Sequence, residues 1–368
     1  MFNQTYEGKK VLITGHTGFK GSWLATWLIN LGATVVGISN KIPTQPSLFD
    51  CLQLSNKLTH YLEDVRDLST FREIFEKEKP DFIFHLAAQA IVSESYLNPI
   101  ETISTNVMGT ANLLEVLRLY KGSCTAVIIT SDKAYDNVEQ VWGYKEDDFL
   151  GGKDIYSGSK GSAELIIKSY FHSYFNSQGS NNIRIAIARA GNVIGGGDWA
   201  KDRIVVDCMQ AWSNKKKVDI RCPMATRPWQ HVLEPLSGYL VLGSKLLGDI
   251  KFNGEAFNFG PRADQNRTVI DLLQSLAKTW GLVDDSQLYN IIDNIPFHEA
   301  TLLKLNCDKA LSYLTWQASL DYDKTVNFTG SWYHNYYFHK MTDMWSKTCQ
   351  QIEEYQDISR VKGQSWME

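Results

Sequence analysis

No stretch of the 368 residues approaches the roughly 18 consecutive apolar side chains of a membrane-spanning helix, so none is expected. The segment from Met1 to Lys10 is polar and lacks the apolar centre of a secretory leader. There is no basic excess: 37 Lys and Arg stand against 41 Asp and Glu, for a net charge of −4. That balance argues against a nucleic-acid partner. The six cysteines are scattered, with no close pair to suggest a metal or redox centre, and read as free thiols of a reducing compartment. These absences together predict a cytoplasmic chain without a structural metal. Hydrophobic residues make up 43% and aromatic residues 12%, enough for one large domain or two fused ones.

Strand and helix patterns alternate through the first half. Short apolar runs at 10–14, 34–38, 81–85, 125–130 and 183–188 read as buried strands. Between them lie helical patterns at 18–31, 68–77, 99–120 and 156–175. In the third of these helices Ile103, Val107, Ala111, Leu114 and Leu117 share a face, with Leu113 and Val116 on a second one. The rhythm predicts an α/β fold, a doubly wound parallel sheet covered on both faces. After Arg189 it breaks into longer loops and less regular helices, without repeats. The expected division is a cofactor domain over 1–190, with segments near 230–260 returning to it. A smaller mixed α/β substrate domain follows over 191–345, then a polar tail over 346–368.

Thr14-Gly15-His16-Thr17-Gly18-Phe19-Lys20-Gly21 joins the first strand to the first helix. Gly15 suits a tight turn, Gly18 the close approach of a pyrophosphate, and Gly21 the packing of helix on strand. Three glycines alone are a weak signal; a strand before and an amphipathic helix after make it a dinucleotide site. Thr17 and Phe19 belong to the same loop. The second strand ends in Ser39-Asn40-Lys41 rather than an acid. Asn40 can still bond a ribose hydroxyl, but Lys41 would tolerate a 2′-phosphate, so the residues leave NAD and NADP both open. Asp64 and Val65 fall where a loop caps adenine, although Asp64 suits a plain turn nearly as well.

Tyr156 and Lys160 stand at i and i+4 on one helix face. A phenol with a pKa of about 10 is a poor base at neutral pH. A nearby ammonium and an oxidised nicotinamide both favour the phenolate, which would let Tyr156 take the proton of an alcohol. Ser131, at the end of the fourth strand, can share that alcohol.

The glycine loop, His85-Leu86-Ala87-Ala88-Gln89 and Tyr156-x-x-x-Lys160 together resemble the extended short-chain dehydrogenase/reductases. The resemblance implies a Rossmann domain with a bound nicotinamide cofactor, and a carboxyl-terminal domain for a nucleotide-sugar. It places Ala87, Ala88 and Gln89 along the cofactor and Asn106 near the reacting centre. Within that family, four runs are similar to the nucleotide-sugar 4,6-dehydratases. They begin at Gly15, at Ser131-Asp132-Lys133, at Arg189-Ala190-Gly191-Asn192 and at Arg227-Pro228-Trp229-Gln230-His231, and Pro296 to Ala300 adds a fifth. The likeness runs from about residue 7 to residue 335. Members acting on dTDP-glucose carry Asp-Glu after the strand, and those acting on CDP-glucose carry Asp-Lys, as this chain does.

The resemblance therefore implies NAD, CDP-glucose and an intramolecular redox dehydration, an early step toward deoxysugars. Asp132 would be the acid for the leaving 6-hydroxyl and Lys133 the base at C5. Arg203 and Arg227 are the candidates for the substrate diphosphate, as guanidinium matches phosphate oxygens. Asn192 would bond diphosphate or sugar. His231 and His298 are substrate candidates with an equal claim to a structural place, and Trp23, Trp199 and Trp229 fit either cleft wall or core. A 4-epimerase or reductase of the family is the competing activity, which Asp132-Lys133 disfavours. A non-catalytic dinucleotide sensor is a third reading, which the intact Tyr156 and Lys160 disfavour. The doubly apolar helices predict a homodimer through a four-helix bundle, with a tetramer as the larger alternative.

Overall fold

Val11 and Ile13 point into one apolar cluster and Leu12 into another, all three without exposed surface, as in a strand covered on both sides. The computed structural model describes residues 1–176, 182–262, 265–282, 288–292, 302–339 and 342–368. Its first half contains strands β1 (Lys10–Thr14), β2 (Thr34–Ile38), β3 (Thr59–Tyr61), β4 (Phe82–His85), β5 (Cys124–Ile129) and β6 (Ile183–Ala190). The helices between them are α1 (Phe19–Asn30), α2 (Leu48–Cys51), α3 (Leu68–Glu78), α4 (Val92–Leu97), α5 (Pro99–Ile103), α6 (Gly109–Leu119) and α7 (Ile155–Tyr170). The second half adds β7 (Val193–Ile194), β8 (Val218–Ile220), β9 (Thr226–Pro228), β10 (Gln230–His231), β11 (Ala256–Phe259), β12 (Asn266–Thr268) and β13 (Tyr289–Ile291). Its helices are α8 (Ile204–Ser213), α9 (Leu233–Gly248), α10 (Val269–Thr279), α11 (Tyr322–Tyr337) and α12 (Met344–Val361).

The central sheet runs β11-β6-β5-β4-β1-β2-β3, with every pairing parallel. Strand order reverses between β1 and β4, which opens a crevice at their carboxyl ends. One face is covered by the cluster holding Phe71, Leu113, Leu117 and Ile167, the other by the cluster holding Trp23, Trp27, Tyr239 and Trp332. Helix α9 packs across β5 and β6, and β11 extends the sheet, so the later chain contributes to the first body. No helix among the described residues is long and apolar enough to cross a membrane, and no described group of three or more acidic, histidine or cysteine side chains could hold a metal.

One helix differs from its periodicity. The segment expected as one helix over 99–120 is α5 and α6 joined by a wider π-helical turn at Ser104–Met108. The extra residue per turn shifts the apolar stripe: Leu114 and Leu117 are buried, but Ile103 faces solvent. Leu113 and Val116 are buried within the chain too, so the second apolar face lies elsewhere, on Leu97, Ile100 and Met108.

The polar segment from Ser346 belongs to α12, whose Ile352 and Tyr355 are buried in the main core. Past its end, Trp366 stacks on Phe2 at 4.9 Å. Tyr355 donates to Glu234 of α9 at 2.8 Å, and the backbone N–H groups of Ser319 and Leu320 also point at that carboxylate. Burial pushes Glu234 up to about 7 from 4.5, with those hydrogen bonds opposing. A raised folded pKa means stability that is full below pH 4.5 and lost as pH rises through 7. Glu234→Gln removes the titration, so wild type should lose at most about 3 kcal/mol relative to this variant between pH 5 and 8. Denaturant melts at both pH values test this, and parallel stability profiles would contradict it.

Candidate active site

The glycine loop sits at the reversal point between β1 and β4. Gly15 has φ +78°, and a Cβ there would lie 2.8 Å from the Ala87 nitrogen. A Cβ on Gly21 would fall 2.2 Å from the Gly15 oxygen, so the first turn of α1 presses on the loop. Gly18 is different: its Cβ position meets only the Gly15 oxygen, at 3.3 Å, and otherwise faces open space at the helix N-terminus. An open face beside free N–H groups fits a diphosphate. Thr17 bonds the Lys41 carbonyl at 2.7 Å, which ties the loop to the end of β2.

Around that loop the candidate cofactor residues divide. Asn40 donates to Asp64 at 3.2 Å, while the Asp64 carboxylate also accepts from the backbone and guanidinium of Arg66. The turn role open to Asp64 is thus directly visible. Val65 is buried against Gly109 of α6. Ala87 donates its N–H to Thr14 at 3.2 Å, and Ala88 follows it on the crevice rim. Asn106, in the wide turn, accepts from the Gln89 N–H at 2.8 Å and donates to Ser159 of α7 at 2.8 Å. It therefore ties the segment after β4 to the helix of Tyr156.

Tyr156 opens α7, which Asp154 caps by accepting from the Ser157 N–H. Burial raises the Tyr156 pKa, while a hydrogen bond with Ser131 and the Arg203 charge oppose the rise. Burial thus leaves the phenol above its ordinary value, where the spacing to Lys160 had predicted a lowering. That lysine is itself pulled down to about 8 by burial, against the pull of Glu164. Ser131 also donates to Asp132 at 2.9 Å, and Asp132 and Lys133 turn immediately past β5. Burial raises the Asp132 carboxyl, with the charges of Lys133 and Lys20 and the Ser131 bond opposing. A buried carboxyl leaning toward its neutral form is suited to give a proton. The site thus gathers an alcohol-binding pair, an acid and an amine at the sheet's carboxyl edge.

Arg203 stands immediately before α8, and its charge acts on Tyr156, Lys20 and Asp198, which puts it on the crevice side. Asn192 immediately precedes β7, whereas Arg227 lies within β9 opposite Arg267 of β12, a few residues before the β10 that pairs with β7. His231 does not join them. It has no exposed surface and packs edge-on against Trp23 and Phe328, with burial pushing it down to about 3. It is a core histidine, because β10 turns it inward under the loop. Trp23, Trp199 and Trp229 are core as well. His298 and the segment from Pro296 to Ala300 lie outside the described residues.

Sequence reasoning assigned no role to Lys20, although its loop was singled out. Burial, followed by the charges of Arg203 and Lys160, lowers it to about 8, with Asp132 and Asp198 opposing. Also missed were Glu164 and Arg189, an ion pair with no exposed surface. Glu164 continues the spacing of Tyr156 and Lys160 by one more helical turn, a signal present in the sequence.

The family model for GDP-mannose 4,6 dehydratase matches residues 12–328. CDP-glucose 4,6-dehydratase of Salmonella typhimurium is 45% identical over 330 residues, covering 89% of this chain and 91% of that protein. dTDP-glucose 4,6-dehydratase of Haemophilus influenzae is 24% identical, covering 88% of this chain and 97% of its own. Among solved structures, the dTDP-glucose 4,6-dehydratase of Streptomyces venezuelae with NAD bound superposes with a TM-score of 0.76 at 19% identity, over 89% of this chain and 97% of that one. UDP-glucose 4-epimerase of Thermotoga maritima superposes with a TM-score of 0.75 at 22% identity, over 90% and 99%. At those identities the structures show the shared Rossmann-type fold, whereas the match across residues 12–328 shows more: the chain belongs to the GDP-mannose 4,6 dehydratase family of extended short-chain dehydrogenase/reductases.

Proposed function

We propose that the protein is an NAD-dependent hydro-lyase that converts CDP-glucose to CDP-4-dehydro-6-deoxyglucose and water. The observation that carries this is the meeting of Ser131, Asp132 and Lys133 with Tyr156 and Lys160 at one sheet edge, in a chain 45% identical to a CDP-glucose 4,6-dehydratase. The loop of Gly15, Thr17, Gly18 and Phe19 fits the cofactor diphosphate, because Gly18 leaves its outer face open. Asn40 and Asp64 are assigned to the adenosine end, with Ala87, Gln89, Asn106 and Lys160 toward the nicotinamide end. When bound, NAD supplies an acceptor for a hydride from sugar C4 that is given back at C6.

Tyr156 accepts the proton of the C4 hydroxyl, and Ser131 bonds the same oxygen. Loss of the hydrogen on carbon C4 as a hydride leaves a 4-ketone, which acidifies C5. Lys133 takes the C5 proton while Asp132 protonates the departing 6-hydroxyl, and water leaves. Arg203, Arg227 and Asn192 hold the diphosphate and orient the sugar. A division of labour follows, with the sheet body binding cofactor and the segments after 190 binding the nucleotide-sugar. Incubation with CDP-, dTDP-, UDP- and GDP-glucose, read by alkaline ultraviolet absorbance of the 4-keto-6-deoxy sugar, tests the assignment. CDP-glucose should be preferred; 4-epimerised sugar without that absorbance would favour the epimerase.

The six cysteines are free, which fits a reducing cytoplasm. We assign the assembly as a homodimer through α4 to α7. Leu97 and Ile100 there are 71% and 76% exposed, and Met108 and Leu165 are more than half exposed. An apolar face of this extent on adjoining helices calls for cover. Light scattering at micromolar concentration should give a dimer, and Ile100→Glu should weaken it. A wild-type monomer under those conditions would count against the assignment.

A further inference from the structure

The residues on either side of the catalytic turn enter one buried network. Thr130, just before Ser131, donates to Glu164 at 2.6 Å. Glu164 is chelated by Arg189 through Nε at 2.8 and 3.0 Å and again through Nη2. Arg189 Nη1 donates to the Tyr135 hydroxyl at 2.6 Å, and Tyr135 closes the turn two residues after Lys133. Tyr135 in turn donates to Asn258 of β11 at 2.8 Å, and its ring lies 4.7 Å from the Arg189 guanidinium. On the other side, Glu164 belongs to α7, one turn beyond Lys160. Gly161 brings that helix so close that a Cβ would lie 3.3 Å from the Ala134 carbonyl of the turn.

A fully buried ion pair is seldom the most stable filling for its space; apolar side chains of similar volume often do as well. What a chelated pair supplies is fixed geometry. Here one pair bonds the helix carrying Tyr156 and Lys160, the strand end before Ser131, and the residue after the turn.

We propose that Glu164 and Arg189, acting through Thr130 and Tyr135, are positioning residues that set Asp132 and Lys133 relative to Tyr156. The proposal rests on the dehydratase reading above. That reaction needs two constellations in register on one sugar: Tyr156 at C4, and Asp132 and Lys133 at C6 and C5. A displacement of about 1 Å between them would cost on the order of a hundredfold in elimination. Oxidation at C4 depends chiefly on Tyr156 and Lys160 of the helix, with Ser131 as an auxiliary, and would fall far less. An epimerase, which has no elimination step, would not need Asp132 and Lys133 held in this register.

The test uses the holoenzyme with Tyr135→Phe and Thr130→Val, each of which removes one hydroxyl and leaves the ion pair intact. Both should fold with KM near wild type, and the single-turnover rate of nicotinamide reduction should fall far less than the elimination rate. Product formation and solvent-deuterium entry at C5 should fall about tenfold or more, a split that uniform loosening would not give. Thr130→Ser, which keeps the hydroxyl, should restore the elimination rate lost in Thr130→Val. Equal losses in reduction and exchange, wild-type exchange in both variants, or no rescue by serine would overturn the positioning role. A wild-type enzyme that forms no 4-keto sugar would overturn the parent reading instead.

Discussion

Lys133→Met is expected to stop the enzyme after the first oxidation. Methionine keeps the stem length and removes the amine, so the turn after β5 loses the group assigned to take the C5 proton. Ser131, Tyr156 and Lys160 are untouched, and Ser131 keeps its hydrogen bond to Asp132. On mixing with CDP-glucose, the near-ultraviolet band of reduced nicotinamide should rise and persist. Little 4-keto-6-deoxy sugar should form, and deuterium should not enter C5 from solvent. The loss in turnover should match or exceed the roughly 10²–10⁴-fold contribution of a positioned base. Normal C5 exchange would assign the base to another residue. Failure even to reduce the cofactor would place Lys133 in binding or in the first step.

Tyr156→Phe attacks the opposite end of the sequence of events. The ring stays, filling the same buried space, and cofactor should bind as in wild type. What is lost is the hydroxyl that bonds Ser131 and accepts the alcohol proton. The first oxidation should slow by about two orders of magnitude or more, so reduced nicotinamide should fail to accumulate even in the double variant with Lys133→Met. That contrast orders the two residues along the reaction. Near-normal turnover in Tyr156→Phe would remove the tyrosine from its assigned role. Burial holds its phenol above the ordinary value, so the proton transfer depends on what the bound cofactor and Lys160 do to the local field.

Much of this could be read along the chain because it is written at short range. Continuous apolar strands, the glycine spacing from Gly15 to Gly21, and the one-turn spacing of Tyr156 and Lys160 each depend on neighbours a few residues away. A strand end positions whatever follows it, so Ser131-Asp132-Lys133 announced a site before any contact was known. The strand pattern also carried the parallel sheet, since a strand buried on both faces has few other places to go.

The rest depended on partners far apart in sequence. Glu164 and Arg189 lie 25 residues apart, and they pair only because the fold brings α7 and the end of β6 together. His231 had an equal claim to substrate contact and to core until β10, paired with β7, turned it into the core between Trp23 and Phe328. The polar C-terminal segment gave no sign that Tyr355 would reach Glu234, 121 residues away, and anchor a helix. Lys20 is an ordinary surface-type residue by composition, and only the approach of Arg203, Lys160 and two carboxylates makes it part of the crevice. Local spacing determines which element forms and where its functional side chains stand along it. Burial and charge environment depend on which elements meet, and so only the tertiary structure decided which polar residues became site and which became core.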